Sequence, residues 1–446
     1  MTEPTPNIIL ISIDSLRADR LGVYGHARNT SPNIDRLASA GVVFDNAYST
    51  TSWTLPSHVS MLSGLYPEVH GVRKGKQKVS KQVVLCSEVF ERMGYRNMAV
   101  VSGPYLNRRF GFNQGFEDYD DRTIRFRSTP ASHAGVTSPQ QHERIVEVLD
   151  TLGEDRFFLF LHYWDVHLDY EPPGRYGTMF DPDYSGDISG RGFLDNEDIR
   201  DGMDPRDLEH LLALYDGEIA FTDHHIGLLM DELEQRGLFE QSLIVFTADH
   251  GDEFFEHGGK GHRRTLYNES LQVPLIVKFP GGSFAGHRVD SAASLVDIVP
   301  TVYDYMDIDW PWEHNGQSLL PAILGWAVPD GDQPRFADLH GEIASAIEGR
   351  WKVVRTAGES PTVELYDLAL DPGERENLLL EDEDLAGWRS RVGRKGAREA
   401  RQGLSLGRRL EEWQAAAEMQ AADLERVSIE YDEDLRKTLK ALGYLD

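Results

Sequence analysis

Metal-binding side chains follow two apolar runs of the chain. Asp14 follows NIILISI, and the pair Asp249 and His250 follows SLIVFTA. In open α/β sheets, ligands collect at the carboxyl ends of the strands, so two carboxylates and an imidazole would meet in one crevice. We therefore predict that Asp14, Asp249 and His250 bind a divalent metal ion.

A threonine lies near the start of a third element, in the segment SWTLPSHVSMLSG. Pro56 suits the first turn of a helix there, and Gly64 suits its end. Two roles stay open for Thr54: a helix cap, or a nucleophile beside backbone N–H groups that stabilise an anion. An unaided threonine hydroxyl attacks poorly at neutral pH, but coordination to a metal ion would lower its pKa. We expect Thr54 to coordinate the predicted ion and to attack the substrate.

Two histidine-rich segments offer further groups. LHYWDVH contains His162, Asp165 and His167, and EHGGKGHRR contains His262 next to Arg263. Such groups bind a substrate oxyanion, protonate a leaving oxygen or hold a second metal ion. We expect functional roles for His167 and His262 with a single ion, and keep as the alternative a second ion held by Asp165, His167 and His262.

The elements that position these residues are strands buried on both faces. The runs NIILISID, NMAVVSG, RFFLFLHYWD and SLIVFTADHG are almost wholly apolar, and residues 207–237 show helical spacing. This alternation predicts a three-layer α/β/α sandwich with a mostly parallel sheet over residues 1–333. Residues 334–384 predict a small C-terminal antiparallel-sheet subdomain, and residues 385–446 a helical tail with an apolar stripe. The tail is expected to pack on its own protein or to join two copies in a homo-oligomer.

Composition restricts the partners. The 446 residues carry a formal net charge of -29, which argues against nucleic acid and anionic membranes as partners. A bound cation would offset that charge locally for a small anionic substrate. The first residues lack the basic segment that begins a secretory signal, and the sequence has no apolar run long enough to span a membrane. The single cysteine, Cys86, cannot form an internal disulfide. We expect a cytoplasmic protein.

Several of these segments occur together in one known family. NIILISIDSLRADRLGVYG, TSWTLPSHVSMLSGLYPEVHG and SLIVFTADHGDEFFEHGG follow one another in family order. Over about residues 5 to 380 the sequence resembles the sulfatase family of the alkaline phosphatase superfamily, and ELYDLALDPGERENL is similar to that family's small C-terminal domain. The resemblance implies an α/β/α fold, a divalent metal ion and hydrolysis of sulfate or phosphate esters.

The sequence departs from the family at several site positions. Sulfatases carry Cys or Ser in a C/S-x-P-x-R motif and oxidise it to formylglycine, whereas this chain has Thr54 and His58 at the first and last positions. Threonine cannot give that aldehyde, so no formylglycine is expected. His58 is expected to bind substrate in place of the arginine. A paired aspartate becomes Ser15, the Lys-x-His segment is absent, and the usual later lysine aligns with His262.

These departures favour a particular chemistry. Threonine is the metal-bound nucleophile of related phosphodiesterases, phosphonate hydrolases and transferases. Ligation by His250, with His262 nearby, favours Zn2+ or Mn2+, with Ca2+ or Mg2+ as the remaining options. We predict a hydrolase of phosphate or phosphonate esters in preference to sulfate esters. The alternatives are a phosphoryl-alcohol transferase of the same superfamily and a non-catalytic sulfatase-like binding protein.

Overall fold

The computed structural model describes residues 5–123, 137–309, 312–326, 333–379, 387 and 397–441. Its strands are β1 Asn7–Ile13, β2 Val42–Phe44, β3 Ala47–Tyr48, β4 Gln77–Lys78, β5 Arg96–Val101, β6 Asp118–Asp120, β7 Phe157–Tyr163, β8 Ser242–Ala248, β9 Glu253–Phe254, β10 Lys260–Gly261, β11 Leu275–Lys278, β12 His287–Val289, β13 Ala293–Ser294, β14 Arg335–Leu339, β15 Ile343–Glu348, β16 Trp351–Thr356, β17 Thr362–Asp367 and β18 Val427–Ser428. Its α-helices are α1 Pro32–Ser39, α2 Thr54–Ser63, α3 Pro67–His70, α4 Cys86–Arg92, α5 Ser138–Leu152, α6 Pro205–Gln235, α7 Leu238–Gln241, α8 Asn268–Leu271, α9 Ile298–Tyr305, α10 Leu320–Ile323, α11 Ala397–Gln420 and α12 Glu433–Ala441.

A mostly parallel sheet of eight strands forms the centre of the protein. Its order is β12-β2-β11-β8-β1-β7-β5-β6, and β11 runs antiparallel to both of its neighbours. The central strands β1, β7 and β8 are apolar and almost wholly buried, because helices cover both faces of the sheet. The helices α1 and α5 both contact α6, and the helices α4 and α9 both contact α2. The predicted α/β/α sandwich is confirmed.

The register of the three central strands brings their ends to one level. Ile13 on β1 pairs with Tyr163 on β7 and with Ala248 on β8, and all three strands run parallel. The residues that follow, Asp14 and Asp249, therefore leave the sheet side by side. Sheet register, rather than distance along the chain, positions these carboxylates.

The C-terminal part forms a separate sheet that the tail covers. Strands β14 to β17 form an antiparallel meander, as the sequence predicts for residues 334–384. Leu406 and Leu410 of α11 pack against Trp351 and Val353 in the core of this sheet. The apolar stripe of the tail is thus buried within its own chain. The predicted boundary at residue 384 lies outside the described residues.

The end of the tail returns to the larger unit. Strand β18 pairs with β4, and the side chains of Tyr431, Leu435 and Leu439 join the main core. Within the described ranges, every helix is too short or too polar to cross a lipid bilayer.

Candidate active site

Two buried carboxylates and one imidazole converge at the ends of β1 and β8. Asp14, Asp249 and His250 are fully buried, and one ligand atom from each lies within 4.8 Å of the others. The Nε2 nitrogen of His250 is 3.4 Å from Oδ2 of Asp249 and 3.7 Å from Oδ1 of Asp14. The structure thus brings together the three residues that the sequence predicts as metal ligands.

In each carboxylate, the Oδ1 oxygen accepts hydrogen bonds from neighbouring groups of the protein. Oδ1 of Asp249 accepts hydrogen bonds from the backbone N–H groups of Ser15, at 3.1 Å, and His250, at 2.9 Å. Oδ1 of Asp14 accepts one from the Ser15 hydroxyl at 3.1 Å. Ser15 adopts a left-handed backbone conformation with φ of 57°, and in this turn both its N–H and its hydroxyl face the carboxylates. Ser15 thereby orients the two acids although it lacks the second carboxylate of the family pattern.

The Oδ2 oxygens of the two carboxylates show whether a metal ion would fit here. Oδ2 of Asp14, Oδ2 of Asp249 and Nε2 of His162 are buried and have no hydrogen-bond partner among the described residues. Oδ2 of Asp14 lies 3.4 Å from Nε2 of His162. Buried polar atoms are nearly always satisfied, so a cluster of unsatisfied acceptors is a place where a cation would fit. The donor set of carboxylate oxygens and imidazole nitrogens fits a divalent metal ion held by Asp14, Asp249 and His250, with His162 beside it.

The tautomers of the histidines support the same conclusion. Nδ1 of His162 donates to the carbonyl of Ser102, and Nδ1 of His250 donates to the carbonyl of Gly251 at 3.0 Å. A neutral imidazole carries one N–H, so in both rings the lone pair is on Nε2, the nitrogen that faces the carboxylates. Backbone carbonyls that hold the far nitrogen in this way are typical of histidines that bind metals.

Burial and mutual repulsion control the charges of this cluster. Burial raises the pKa of Asp14 to about 7. Burial and the neighbouring Asp14 carboxylate raise the pKa of Asp249. Burial lowers the pKa of His250, but the carboxylates of Asp249 and Asp14 outweigh that effect and raise the pKa above its ordinary value. A bound cation would favour the charged carboxylates, so the site is built to exchange protons for a metal ion.

Thr54 is the first residue of α2, and its side chain faces this cluster. Its Oγ1 lies 3.2 Å from Nε2 of His250, the ring that also lies beside the carboxylates of Asp14 and Asp249. The N-cap residue of α2 is Trp53, and no side-chain hydrogen bond caps this helix. Of the two roles that the sequence left open, the geometry supports a hydroxyl that belongs to the site and not a helix cap. Gly64 ends the helix with φ of 73°, as predicted.

His58 lies one turn further along α2, under Thr54. Its Nδ1 donates to the Thr54 carbonyl at 2.8 Å, and its Nε2 accepts from the hydroxyl of Ser12 on β1 at 2.9 Å. The ring is fully buried, and this burial lowers its pKa to about 3. Because both nitrogens bond within the protein, these contacts favour a role in fixing α2 on β1 over the substrate contact that the sequence predicted.

Two more histidines lie beside His250. The ring centroid of His262 is 4.5 Å from that of His250 and 5.1 Å from that of His167. Burial, together with the charge of neighbouring histidines, lowers the pKa of both His167 and His262 well below its ordinary value. The structure therefore brings the two predicted histidines into the site in their neutral forms.

Asp252 orients His262. Nδ1 of His262 donates to Oδ1 of Asp252 at 2.7 Å, and the Tyr170 hydroxyl donates to Oδ2 of Asp252 at 2.6 Å. The lone pair of His262 is therefore on Nε2. Nδ1 of His167 donates to the carbonyl of Leu168 at 2.7 Å, which gives that ring the same tautomer. Both oxygens of Asp252 already bond within the protein, so Asp252 is a positioning residue for His262.

Asp165 does not take the place that the sequence offered it in a second metal site. Its carboxylate accepts hydrogen bonds from the backbone N–H groups of Thr137, at 2.7 Å, and Ser138, at 2.6 Å, where α5 begins. Asp165 is therefore a helix cap. The carboxylate beside His262 is Asp252.

Sequence reasoning missed two residues of the site, although weak signals exist for both. His162 is one of two histidines in LHYWDVH, and the sequence favoured the other one, His167. His162 nevertheless occupies the second-last position of β7 and pairs with Ser12, two residues before Asp14. Asp252 follows Asp249 by three residues, in a turn whose direction the sequence does not specify. The strand-end rule, applied to β7, would have selected His162.

A mostly parallel α/β/α sandwich with a buried metal-type cluster at its strand ends defines the alkaline phosphatase-like class of ester hydrolases. The Sulfatase family profile matches residues 6–308, and the profile of the N-sulphoglucosamine sulphohydrolase C-terminal region matches residues 256–389. The chain belongs to the sulfatase family.

Similarity to known sulfatases extends over most of the chain. An ulvan-active sulfatase of Formosa agariphila is 27% identical over 415 residues, which cover 84% of this chain and 78% of that protein. An arylsulfatase of Clostridium perfringens is 25% identical over 446 residues, covering 85% and 91%. The crystal structure of a phosphonate monoester hydrolase of Agrobacterium radiobacter has the same fold, with a TM-score of 0.74, 21% identity and coverage of 96% of this chain and all of that one. The protein is accordingly an ester hydrolase of this family.

Proposed function

We propose that this sulfatase-family hydrolase cleaves phosphate or phosphonate esters and that Thr54 is its nucleophile. The observation that carries the proposal is the position of the Thr54 hydroxyl, 3.2 Å from Nε2 of His250 and beside the unsatisfied carboxylate oxygens of Asp14 and Asp249. A divalent ion held by Asp14, Asp249 and His250 would polarise the ester and lower the pKa of a nearby hydroxyl. Zn2+ or Mn2+ suits this mixed oxygen and nitrogen donor set.

The reaction on these residues has two steps. Oγ1 of Thr54 forms a bond to phosphorus, and the phosphorus–oxygen bond to the alcohol breaks. Water then attacks the same phosphorus, and the bond to Thr54 breaks, which releases the acid and restores the hydroxyl. The two steps together consume one water molecule and release one alcohol.

A role for His262 in proton transfer is suggested by its tautomer and by its ring centroid, which lies 4.5 Å from that of His250, the ring that Thr54 contacts. The lone pair of His262 is on Nε2, and its Nδ1–H is held by the Asp252 carboxylate, which stabilises the imidazolium formed when Nε2 takes up a proton. We assign to His262 the transfer of the Thr54 proton to the leaving alcohol. His167, whose ring centroid is 5.1 Å from that of His262, is assigned to the substrate oxyanion side of the pocket.

The choice of phosphorus over sulfur rests on one residue. A threonine at the motif position cannot become the formylglycine that sulfatases use, so the attacking group in this proposal is an ordinary hydroxyl. The predicted cytoplasmic location and the predicted pairing of two copies through the tail stay predictions.

The test is a substrate panel with a matched pair of variants. Aryl phosphate, aryl phosphodiester, phenylphosphonate monoester and aryl sulfate are compared at equal leaving-group pKa, with Zn2+ or Mn2+ added. We expect turnover of phosphorus esters, a loss of about 10³-fold in Thr54→Val, which keeps the side-chain shape, and a much smaller loss in Thr54→Ser. Mass spectrometry of quenched reactions should locate the phosphoryl group on Thr54.

Four outcomes contradict the proposal. Turnover of the sulfate ester alone would make the protein a sulfatase. Unchanged rates in Thr54→Val would remove this hydroxyl from the mechanism. Purified protein that binds no divalent ion and turns over no ester would favour the non-catalytic alternative. Formation of phosphoglycerol in the presence of glycerol, faster than hydrolysis, would instead favour the transferase alternative.

A further inference from the structure

Trp164 lies in the turn that brings His167 into the site. The turn follows the end of β7, and the His167 N–H donates to the Trp164 carbonyl at 2.9 Å to close it. The indole of Trp164 stacks on the imidazole of His167, with ring centroids 3.8 Å apart and an angle of 21° between the planes. Trp164 is buried, with 3% of its surface exposed. The indole therefore contacts a histidine of the site directly, and the two-step reaction gives it no role.

The contacts of the His167 ring show what the indole contributes. Its Nδ1–H is held by the Leu168 carbonyl at 2.7 Å. One hydrogen bond leaves the imidazole able to turn about the axis of that bond, because hydrogen bonds tolerate a range of angles. A flat ring stacked on one face of the imidazole opposes such a rotation. The carbonyl and the indole together therefore fix the direction of Nε2, the nitrogen that carries the lone pair.

A series of contacts joins this stack to the reacting groups. The ring centroid of His167 is 5.1 Å from that of His262, and the ring centroid of His262 is 4.5 Å from that of His250. Oγ1 of Thr54 lies 3.2 Å from Nε2 of His250. Because protein interiors are closely packed, a shift of the Trp164 ring would be transmitted along these rings.

Gly103 in turn fixes the position of Trp164. Gly103 lies two residues after the end of β5, and its φ of 98° is in the left-handed region that favours glycine. A Cβ atom at this position would lie 2.6 Å from Cε3 of Trp164, so a larger residue would displace the indole. The carbonyl of the preceding residue, Ser102, accepts a hydrogen bond from Nδ1 of His162. One turn after β5 therefore supports both His162 and the ring that stacks on His167.

We propose that Trp164 is a positioning residue that fixes the direction in which Nε2 of His167 meets the substrate. The inference rests on the proposed function, in which His167 lies on the oxyanion side of the pocket, and it deepens that function by naming what holds this ring. Trp164 acts through His167 and not on the substrate itself. Catalytic groups lose much of their effect when they are slightly misplaced, so the stack contributes to the rate.

The kinetic test is a double-mutant cycle between Trp164 and His167, run on the ester that the wild-type protein hydrolyses fastest. We expect Trp164→Leu to lower kcat/KM by about 10- to 100-fold, because the imidazole is no longer held in direction. Trp164→Phe, which keeps a flat ring, should lose less than about fivefold. In protein that already carries His167→Gln, Trp164→Leu should change kcat/KM by less than about twofold, because the group that it directs is absent. Trp326→Leu, at an exposed tryptophan, is the control and should behave as wild type.

Two measurements without turnover separate this inference from the proposed function. In NMR spectra of histidine-labelled protein, the stacked indole should shift the ring C–H signals of His167 upfield, and Trp164→Leu should remove that shift. Calorimetry with phenylphosphonate, which contains no ester, is carried out on Zn2+-loaded protein. Trp164→Leu should weaken this binding by about tenfold, and should weaken it no further in the His167→Gln background. These two results would support the positioning role even if no phosphorus ester is hydrolysed.

Three results would overturn the inference. Equal losses from Trp164→Leu with and without His167 would show that the indole supports the fold alone. Losses in Trp164→Phe as large as those in Trp164→Leu would show that a flat ring is not what matters. Wild-type rates and binding in Trp164→Leu would remove the stack from the site. If Trp164→Leu does not fold, Trp164→Met, a longer side chain without a flat ring, takes its place in the cycle with the same expected losses.

Discussion

The Nε2 nitrogen of His250 lies 3.2 Å from Oγ1 of Thr54, although 196 positions separate the two residues. When His250 is neutral, its Nδ1–H is held by the Gly251 carbonyl, so Nε2 carries the lone pair and the Thr54 hydroxyl is the donor between them. A metal ion on Nε2 would compete with this proton for the same lone pair. Metal binding and the state of the threonine hydroxyl are therefore coupled.

The contribution of Asp14 to the stability of the metal-free protein should fall as the pH rises. Burial raises the pKa of Asp14 to about 7 from an ordinary value of 3.8. Between these values the folded protein binds a proton that the unfolded chain has lost, so the contribution of Asp14 is complete below about pH 4 and is lost as the pH rises through about 7. In chelator-treated protein, the difference in unfolding free energy between wild type and Asp14→Asn should decrease over that range in urea titrations. A difference that is constant with pH would contradict the assigned burial effect.

The stabilisation of the protein by a bound metal ion should have the opposite pH dependence. Ligand carboxylates bind the ion in their deprotonated form, so the rise in melting temperature on adding Zn2+ or Mn2+ should be larger at about pH 8 than at about pH 5. Scanning calorimetry at a fixed concentration of free metal ion measures this rise in melting temperature. Asp14→Asn should show a reduced rise at both pH values. Equal rises in wild type and variant would remove Asp14 from the ligand set.

Replacement of His162 should weaken metal binding. Its Nε2 lies 3.4 Å from Oδ2 of Asp14, and both atoms lack hydrogen-bond partners among the described residues. We expect His162→Gln to raise the metal dissociation constant by about 10- to 100-fold, as measured by competition with a chromophoric chelator. His224→Gln, on the exposed side of α6, is the matched control. Unchanged affinity in His162→Gln would show that this ring has no part in the metal site.

His58 should support the fold more than it binds substrate. The fully buried ring joins the Thr54 carbonyl to the Ser12 hydroxyl. We expect His58→Ala to lower the unfolding free energy by about 2–4 kcal/mol, from the lost hydrogen bonds and the cavity. The KM of the remaining activity should change little. A raised KM with unchanged stability would restore the substrate contact predicted from the sequence.

The Asp252 carboxylate should control His262. In Asp252→Asn the side-chain amide can turn its NH2 group to Nδ1 and so reverse the tautomer, and we expect kcat to fall by about 10²-fold or more. Tyr170→Phe removes only the second hydrogen bond of Asp252, at 2.6 Å, and should cost less than about tenfold. Initial rates on an aryl phosphate measure both. Similar small losses in the two variants would argue against proton transfer by His262.

Periodicity and the strand-end rule were sufficient to predict that Asp14, Asp249 and His250 lie together. The buried runs before Asp14 and Asp249 can form only interior strands, and interior parallel strands deliver the residues after them to one edge of the sheet. The start and end of α2 follow from Pro56 and Gly64, because these residues restrict the backbone locally. Local signals of this kind do not depend on the rest of the fold.

Local sequence patterns did not predict which way a side chain faces or which groups it contacts. Whether His58 faces the substrate or the sheet depends on how α2 packs on β1, and the choice between Asp165 and Asp252 as the carboxylate beside His262 depends on where α5 begins. The position of Tyr431 in the main core depends on the pairing of β18 with β4, which joins segments about 350 residues apart. Such contacts are long-range, and no local pattern encodes them.

By itself the sequence determined the α/β class, the family and the residue types that bind a cation and attack an ester, since these follow from hydrophobic spacing and from short motifs. Only the tertiary structure decided which nitrogen of each histidine carries a lone pair, which acids remain unsatisfied and which side chains surround Thr54. The physical reason is that hydrogen-bond direction and burial are properties of atoms brought together by folding, and the order of residues along the chain does not specify them.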